Sequence, residues 1–493
     1  MSSVSKTTLA ATIAGSLAIA GCMGTFDPNN PGQVTASERQ QGAQSHPQIL
    51  AEFGGAYNGP GSEMVERIGT RISIASGLTT DGSDCTVTLL NSSVVNAFAI
   101  PGCYTYVTRG LLALMENEAE LASVIGHEIG HVAADHGKRR QNAALGSSLL
   151  GVLAGVLTGS GQVAQLATQA GQAWTLKYSR DQEYQSDDLG ILYMTRAGYD
   201  PFESADVLDA LGAQAALMAK VRGRSEASQI PAWARTHPLS NDRVRRAIAK
   251  AAETGVQPGA LAQNQADFFA AIDGMLYGDA PEQGFVRGNS FVHPTLRLAF
   301  QVPSGFYLNN SARAVTATSG SSPVQVQFSG AAKDASTPIA TVAQQALTGI
   351  LGESAQRAQT SQVQLTTING MRAAQQQARV ASQNGQVDIT VVAYEFDATS
   401  TYYFAFVSPV NANAGSIIST TAQSFRKISA SEAAQLQPKR VDIVTVGRGD
   451  TVASLSRRMA YDNFQEDRFR VLNDLEDGGD VRPGDRVKIV VEG

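Results

Sequence analysis

The feature that most constrains this chain is a pair of histidines four residues apart in a segment with helical periodicity. Between residues 118 and 136, apolar residues recur at helical spacing and predict an α-helix with one buried face. His127 and His131 project from the same side of that helix, close enough to bind a single cation. Glu128, beside the first histidine, can reach a metal-bound water without binding the metal itself. The pattern His-Glu-x-x-His therefore predicts one zinc ion per chain, held by a helix.

A third metal ligand is expected from a separate helix, because a catalytic zinc ion keeps three protein ligands and one open position. Glu183 is the best candidate, in the acidic stretch 179–190. Asp187 lies four residues further on and shares the same helical face, so it can hydrogen-bond a ligand histidine from outside the coordination sphere. A solvated acidic helix face is the alternative for this run of charges.

Three of the other histidines are predicted to lie outside the metal site. His136 follows His127 by nine positions, and a rotation of about 100° per residue takes it off the ligand face. We therefore interpret His136 as a residue at the end of the helix. His46 and His293 have no ligand-type partners around them in the sequence.

The composition is that of a globular protein with several domains. Hydrophobic residues make up 43% and charged residues 17% of the 493 positions, which excludes a disordered chain. That length predicts two to four domains. The net charge of −6 argues against a broad nucleic-acid-binding surface, so we expect no nucleic-acid partner.

Residues 1–21 have the pattern of an export signal. One early cation, Lys6, precedes an apolar stretch shorter than the roughly 20 residues that a membrane span needs. The end of that stretch, Ile19-Ala20-Gly21-Cys22, resembles the lipobox of bacterial lipoproteins and implies a lipid on Cys22. Because aspartate does not follow the cysteine, the resemblance implies an anchor in the outer membrane, facing the periplasm. An ordinary signal peptide with an incidental cysteine is the alternative. Residues 22–48 are polar and predicted to be a flexible tether.

Two further cysteines are predicted to form a disulfide. Cys85 and Cys103 each begin a strand-like run, and an exported chain occupies an oxidising compartment in which two thiols tend to pair. Two separate buried cysteines are the alternative, because sequence alone does not supply the Cα separation that a bridge requires.

Three folded units are predicted after the tether. Helical patterns dominate residues 49–280, apart from a pair of strand-like runs near 85–107. Residues 286–430 alternate polar and apolar side chains around two helical stretches, which predicts an α+β domain of unknown role. Residues 441–493 form the last unit. The apolar segment 143–158 is expected to cover a cleft or touch a membrane surface, with a membrane-spanning helix as the alternative.

Several motifs occur in a fixed order and carry a family resemblance. Asn96–Gly102 and Thr108–Leu112 precede the histidine helix, and Glu183-x-x-x-Asp187 and Thr236-His237-Pro238 follow it. This order resembles the CAAX-prenyl-protease/HtpX class of zinc metallopeptidases, in its soluble bacterial periplasmic BepA-like branch. The resemblance covers roughly residues 50–275. This chain departs from the family pattern at Cys103, where a second glycine is usual, and at Gln185-Ser186, which replace Glu-Ala.

The resemblance implies functions for further residues. It places His237 at the active site, where the ring could hydrogen-bond the oxyanion or occupy the open zinc position and hold the enzyme latent. It makes Arg243 a basic residue that ties the ligand region together. It aligns the substrate beside an edge strand that includes Asn96, Ala97 and Phe98, consistent with recognition by strand addition.

The last unit resembles a LysM module. It contains Gly449-Asp450-Thr451, then Leu472-Asn473 followed by Leu475, and then Pro483-Gly484 before Val487 and Ile489. The LysM family folds as βααβ and binds glycans that contain N-acetylglucosamine, such as peptidoglycan. The resemblance therefore implies a possible peptidoglycan partner.

These observations predict a multidomain α+β protein. A mainly helical zincin-type peptidase domain with a small β-sheet comes first, followed by an α+β sandwich and a βααβ LysM-like module. The predicted function is a zinc metalloendopeptidase that cleaves misfolded or unassembled envelope proteins on the periplasmic side. Glu128 would take a proton from zinc-bound water and pass it to the leaving amine. The alternatives are a latent protease that acts as a chaperone-like or wall-tethered scaffold, and a peptidoglycan peptidase.

Overall fold

The computed structural model describes most of the chain from residue 31 onward. The described residues are 27, 31–137, 178–222, 233, 237, 241–312, 314–382, 385–476 and 478–493. The predicted signal peptide, Cys22 and the apolar segment 143–158 lie outside them. Within the described residues, none of the helices combines the length and the apolar character needed to cross a bilayer.

The first unit is mainly helical. Its helices are α1 (Ala36–Glu52), α2 (Ser62–Ser76), α3 (Arg109–Leu112), α4 (Glu118–Ala133), α5 (Arg180–Arg196), α6 (Glu203–Arg222), α7 (Asn241–Glu253) and α8 (Gln265–Ile272). A small sheet contains β1 (Thr86–Leu90), β2 (Ala97–Ile100) and β3 (Tyr104–Thr108) in the order β1-β3-β2. β1 is parallel to β3 and β2 is antiparallel to it, so β2 is an edge strand.

Helix α4 is the centre of this unit and almost entirely buried. Its N-terminus is capped by Asn117, whose side chain accepts a hydrogen bond from the backbone N–H of Glu120. Glycines let α5 cross α4 at close range, since a Cβ on Gly190 would lie 2.9 Å from the backbone nitrogen of His127. A Cβ on Gly126, at the same crossing, would lie 3.1 Å from the Cα of Gly190. Close backbone packing thus brings the first half of α5 over the histidines of α4.

The predicted tether is wrong beyond residue 35, because α1 is part of the folded unit. Thr35 and Glu38 form a capping box that starts the helix at Ala36. Gly42 packs so closely on the sheet that a Cβ there would collide with the carbonyl oxygen of Pro101. Buried Ile49 joins a small apolar cluster with the sheet. The polar composition of this segment therefore belongs to the exposed face of a docked helix.

A disulfide joins Cys85 and Cys103, with their Cα atoms 4.7 Å apart. The two cysteines immediately precede the paired residues Thr86 and Tyr104 of the parallel strands β1 and β3. The bridge therefore ties together the starts of two neighbouring strands that lead toward α4.

The second unit is built from two sheets and their covering helices. The larger sheet contains β8 (Phe306–Asn310), β9 (Val315–Ser319), β10 (Gln325–Ala332), β11 (Gln359–Thr360), β12 (Gln364–Ile368), β13 (Met371–Ser382), β14 (Gly385–Glu395) and β15 (Ser400–Pro409). The smaller sheet contains β5 (Phe285–Arg287), β6 (Ser290–His293), β7 (Leu298–Gln301) and β16 (Arg426–Lys427). The helices are α9 (Ile339–Leu351), α10 (Gly415–Ser424) and the short α11 (Ala430–Ala434). Aromatic side chains of both sheets, including Phe300 and Phe404, share one core.

The third unit has the predicted βααβ order. It comprises β17 (Lys439–Thr445), α12 (Val452–Ser456), α13 (Gln465–Leu472) and β18 (Arg486–Glu492). Its sheet is completed by β4 (Leu276–Tyr277), a short strand that follows α8 in the first unit. The prediction of a multidomain α+β protein with a helical first unit is confirmed.

Lys488 fastens the third unit to the first. Its ammonium group is fully buried and donates to the carbonyl oxygens of Ala113, at 3.1 Å, and Met115, at 2.6 Å. It also forms an ion pair with Glu116 at 2.7 Å. All three partners belong to the loop between α3 and α4, so the last strand supports the segment that leads into the central helix.

Candidate metal centre

Two histidine rings of α4 face each other one helical turn apart. The Nε2 atoms of His127 and His131 are 3.1 Å apart, and both side chains are buried. This arrangement follows from their four-residue spacing on the helix, as the sequence predicted.

Two other segments each place one ligand-type atom beside the Nε2 atoms of His127 and His131. The Nδ1 atom of His237, which precedes α7, lies 3.1 Å from Nε2 of His127. It lies equally close, at 3.1 Å, to Oε1 of Glu183 on α5. One ligand-type atom from each of His127, His131, Glu183 and His237 falls within 4.8 Å of the other three.

The donor set fits a zinc ion. Imidazole nitrogens at 2.0–2.1 Å from a tetrahedral zinc would be roughly 3.3 Å apart, close to the separations of the three histidines. Three neutral imidazoles and one carboxylate are also the ligand types that zinc prefers. Since His237 supplies a fourth donor, the set is one ligand larger than an open catalytic site requires.

Glu128 lies beside the donor set without belonging to it. Its carboxylate is buried, and among the described residues its Oε1 atom has no hydrogen-bond partner. The Nε2 atom of His237 lies 3.5 Å from that oxygen. Buried polar atoms are normally hydrogen-bonded, so an unused carboxylate oxygen here is available to a water or substrate group.

Asp187 and Arg243 orient the donor side chains through hydrogen bonds and ion pairs outside the donor set. Oδ1 of Asp187 is 2.9 Å from Nδ1 of His127, which directs Nε2 of that ring to the donor set. Arg243 donates to both oxygens of Asp187, at 2.9 and 2.7 Å, and its Nη1 atom is 3.0 Å from Oε2 of Glu183. One buried guanidinium therefore orients two carboxylates, as expected for a bidentate arginine.

The ionisation of these groups follows from the same contacts. Burial alone would raise the pKa of the Asp187 carboxyl, but Arg243 and His127 outweigh it and hold that pKa well below its ordinary value. Burial also opposes ionisation of Glu183, whose pKa is nevertheless lowered by His237, His127 and Arg243. For His127 burial favours the neutral ring, yet the Asp187 carboxylate raises the pKa above its usual value. The anionic state of both carboxylates is thus built into the fold.

The edge strand β2 runs past this centre. The backbone N–H of Thr108 donates to the carbonyl of Asn96, so residues 96, 98 and 100 pair with β3. The N–H and C=O groups of Ala97 and Ala99 therefore point to the open edge. The side chain of Phe98 packs away from the metal centre, against Phe53 of the segment after α1. Of the residues Asn96, Ala97 and Phe98 that the resemblance places beside the substrate, Ala97 thus offers its backbone to the open edge.

A match to a known family covers this part of the chain. Residues 62–251 match the model of Peptidase family M48. The M48 region includes α2 to α7, and with them every donor described above.

Curated relatives are metalloproteases. The chain is 27% identical to the mitochondrial metalloendopeptidase OMA1 of Schizosaccharomyces pombe over 42% of its own length and 59% of the relative. It is 30% identical to the beta-barrel assembly-enhancing protease of Escherichia coli K12 over 37% of each chain. It is 33% identical to the metalloprotease LoiP of the same organism, over 28% of this chain and 56% of the relative. In each case less than two thirds of the relative is spanned. With the donor set, these matches support the prediction of a zinc-metallopeptidase unit.

His136 supports the metal centre from outside the ligand set, a contact that was not predicted. Nε2 of His131 faces the donor set, so its Nδ1 carries the proton and donates to Nδ1 of His136 at 2.8 Å. His136 then holds its own proton on Nε2 and donates to Oε1 of Gln185 at 2.9 Å. Ser186 lies against the same ring, with Oγ 3.3 Å from Nδ1. The departure from the family pattern at Gln185-Ser186 was the available signal.

Replacing His136 with phenylalanine is expected to weaken zinc binding about 10- to 100-fold, because His131 loses the acceptor that fixes its ring. Competition with a chelator of known affinity measures this change. His46→Phe is the matched control, since that ring contacts Tyr106 away from the donors. An unchanged zinc affinity in the His136 variant would contradict the assignment.

Proposed function

We propose that the chain is a zinc metalloendopeptidase that hydrolyses peptide bonds of misfolded or unassembled envelope proteins on the periplasmic side. The observation that carries this proposal is the buried donor set with Oε1 of Glu128 next to it, an atom that no described residue hydrogen-bonds. A scaffold that only binds proteins would not need a buried carboxylate oxygen beside four metal-ligand atoms. The relatives' names support proteolysis, and one of those names refers to β-barrel assembly.

The chain's own residues divide the chemistry between them. His127, His131 and Glu183 hold the zinc ion, which when bound lowers the pKa of water and polarises a carbonyl group. Glu128 accepts the proton of the attacking water and returns it to the nitrogen of the leaving amine. Asp187 keeps the ring of His127 in the tautomer that presents Nε2 to the metal.

The open edge of β2 positions the substrate. An extended segment of an unfolded protein can pair with the backbone groups of Ala97 and Ala99 and become the fourth strand of the sheet. At the start of this edge the carbonyl of Val95 already accepts a hydrogen bond from the N–H of Trp233, whose ring stacks on His237. Recognition through the backbone favours chains without stable structure over particular sequences.

We further propose a cellular setting. Export, a lipid on Cys22 and an outer-membrane anchor would bring the centre to the periplasm. The third unit would act as a LysM-like module and hold peptidoglycan. Binding of purified cell-wall sacculi by the full chain, compared with a chain ending before β17, tests the glycan partner.

Chelation tests the enzyme itself. We expect the purified protein to cleave an unfolded protein such as reduced casein, to lose that activity with a zinc chelator, and to regain it when zinc is restored. Cleavage is followed by gel electrophoresis and mass spectrometry. Activity that is indifferent to the chelator would refute the proposal.

His237 is expected to restrain the enzyme rather than drive it. In this structure its Nδ1 atom lies among the donors, in the position that a catalytic site leaves to water. We predict that His237→Ala retains zinc and cleaves casein several-fold faster than the wild type. The alternative role, a hydrogen bond to the oxyanion, predicts a fall in rate of about 10²-fold at unchanged zinc content.

A further inference from the structure

A cavity opens directly beside the metal centre, at the end of the edge strand. Its volume is about 70 Å³, which holds roughly five water molecules or one medium-sized side chain. His131 reaches it from α4, and Ala99 and Ile100 reach it from the end of β2. A substrate paired with β2 would therefore pass over this cavity next to the metal.

Most of the side chains around the cavity are apolar. Val34, Leu78, Ile100 and Val132 contribute aliphatic groups, and the ring of Tyr178 stacks on His131 with 3.7 Å between centroids. Desolvation of an apolar group is the main gain that such walls offer.

Two acidic residues occur at the same cavity. Glu38 is engaged by the capping box, where its carboxylate accepts hydrogen bonds from the N–H and hydroxyl of Thr35. Asp135 is exposed at the end of α4. Among the described residues that line the cavity, which stop at Gly137 and resume at Tyr178, there is no lysine or arginine. Glu38 and Asp135 would therefore meet an acidic ligand side chain with like charge.

One wall comes from the segment that precedes α1. Val34 is only 6% exposed and belongs to the same core cluster as Leu78. Arg39 donates to the carbonyl of Val34 at 2.8 Å, which holds the segment against the first unit. This wall is consequently part of the fold, although it lies far from the zinc motif in the sequence.

We propose that this cavity is a specificity site, which takes an uncharged apolar side chain of the substrate residue next to the scissile bond, and that Val34 sets its size. The inference rests on the proposed peptidase function and deepens it by naming the class of substrate residue. Leucine is preferred there over aspartate and glutamate, and phenylalanine fits less well in a cavity of about 70 Å³.

Paired peptides test the size of the site. Two otherwise identical unstructured peptides carry Leu or Phe beside the cleaved bond, and kcat/KM is measured for each. Val34→Ala enlarges the cavity and should raise the Phe-to-Leu ratio about threefold or more, whereas Val34→Ile should lower it. A general loss of stability would move both peptides together, so opposite changes in the ratio identify the site. Ile74→Ala, an exposed position on α2, is the matched control and should leave the ratio unchanged.

The result separates this inference from the proposed function. Ratios that are unchanged in both Val34 variants would overturn the inference while leaving the peptidase intact. If the wild type cleaves nothing, the proposed function fails. The zinc-loaded Glu128→Gln protein then reports on the cavity through binding alone. Tighter binding of the Leu peptide than of a Glu peptide supports the inference, and equal affinities overturn it.

Discussion

Replacing Glu128 with glutamine is expected to lower kcat/KM for an unfolded protein by at least about 10²-fold, while zinc content stays at one ion per chain. The reason is chemical, because an amide at this position cannot accept the proton of the attacking water. The four ligand-type atoms do not include Glu128, so metal binding should be untouched. The rate of casein cleavage gives kcat/KM. The zinc content is measured by elemental analysis of the purified protein.

Glu120→Gln is the matched control on the same helix. Glu120 is also buried, but it contacts Asn117 and the backbone of Glu116 instead of the donor set. Burial and the nearby Glu116 raise the pKa of its carboxyl well above the ordinary value, so a neutral amide is a mild replacement. Equal losses in the two variants would mean that Glu128 acts through the fold of α4 and not through proton transfer.

The second large effect is expected at Arg243. Its replacement by methionine leaves Asp187 and Glu183 buried without the cation that now lies between them. Removing one partner of a buried ion pair costs about 3–5 kcal/mol, so we expect the free energy of unfolding of the zinc-free protein to fall by about that much. Chemical denaturation of the zinc-free protein measures it.

Arg246→Met is the matched comparison, because Arg246 lies on the same helix, α7, three residues after Arg243. Arg246 pairs with Asp188 at 2.6 Å, but its side chain is 42% exposed. A solvent-exposed pair contributes up to about 1 kcal/mol. If both variants lost the same stability, burial of the Arg243 cluster could not be the reason for its strength.

Local spacing in the sequence predicted the metal-binding residues on α4 and α5, but it did not predict the other residues of the site. His127, Glu128 and His131 lie within one helical turn, and Glu183 and Asp187 within another, so helix geometry alone placed each group. His136 lies at the end of the helix and outside the ligand set, as predicted, but its contact with His131 was not predicted, because helical rotation no longer applies where the helix has ended. Asp135 has a positive φ of 55°, and this bend returns His136 to the ring of His131.

Longer-range contacts explain the other differences. The polar segment that became α1 is stabilised by the sheet it packs on, a contact that composition does not reveal. His237 and Arg243 were identified only by family resemblance, since His237 meets His127 across 110 residues and Arg243 meets Asp187 across 56. The pairing of β4 with β17 likewise joins units that had been predicted as separate.

The ammonium group of Lys488 gives the chain an order of assembly. The carbonyls of Ala113 and Met115 and the carboxylate of Glu116 receive their cation from the last strand, 373 residues after Met115. A chain still being synthesised would present the turn before α4 with those groups unsatisfied. Full rigidity of the helix that carries both zinc histidines therefore comes only after β18 has docked, so hydrolytic competence would be among the last properties that a newly made molecule acquires.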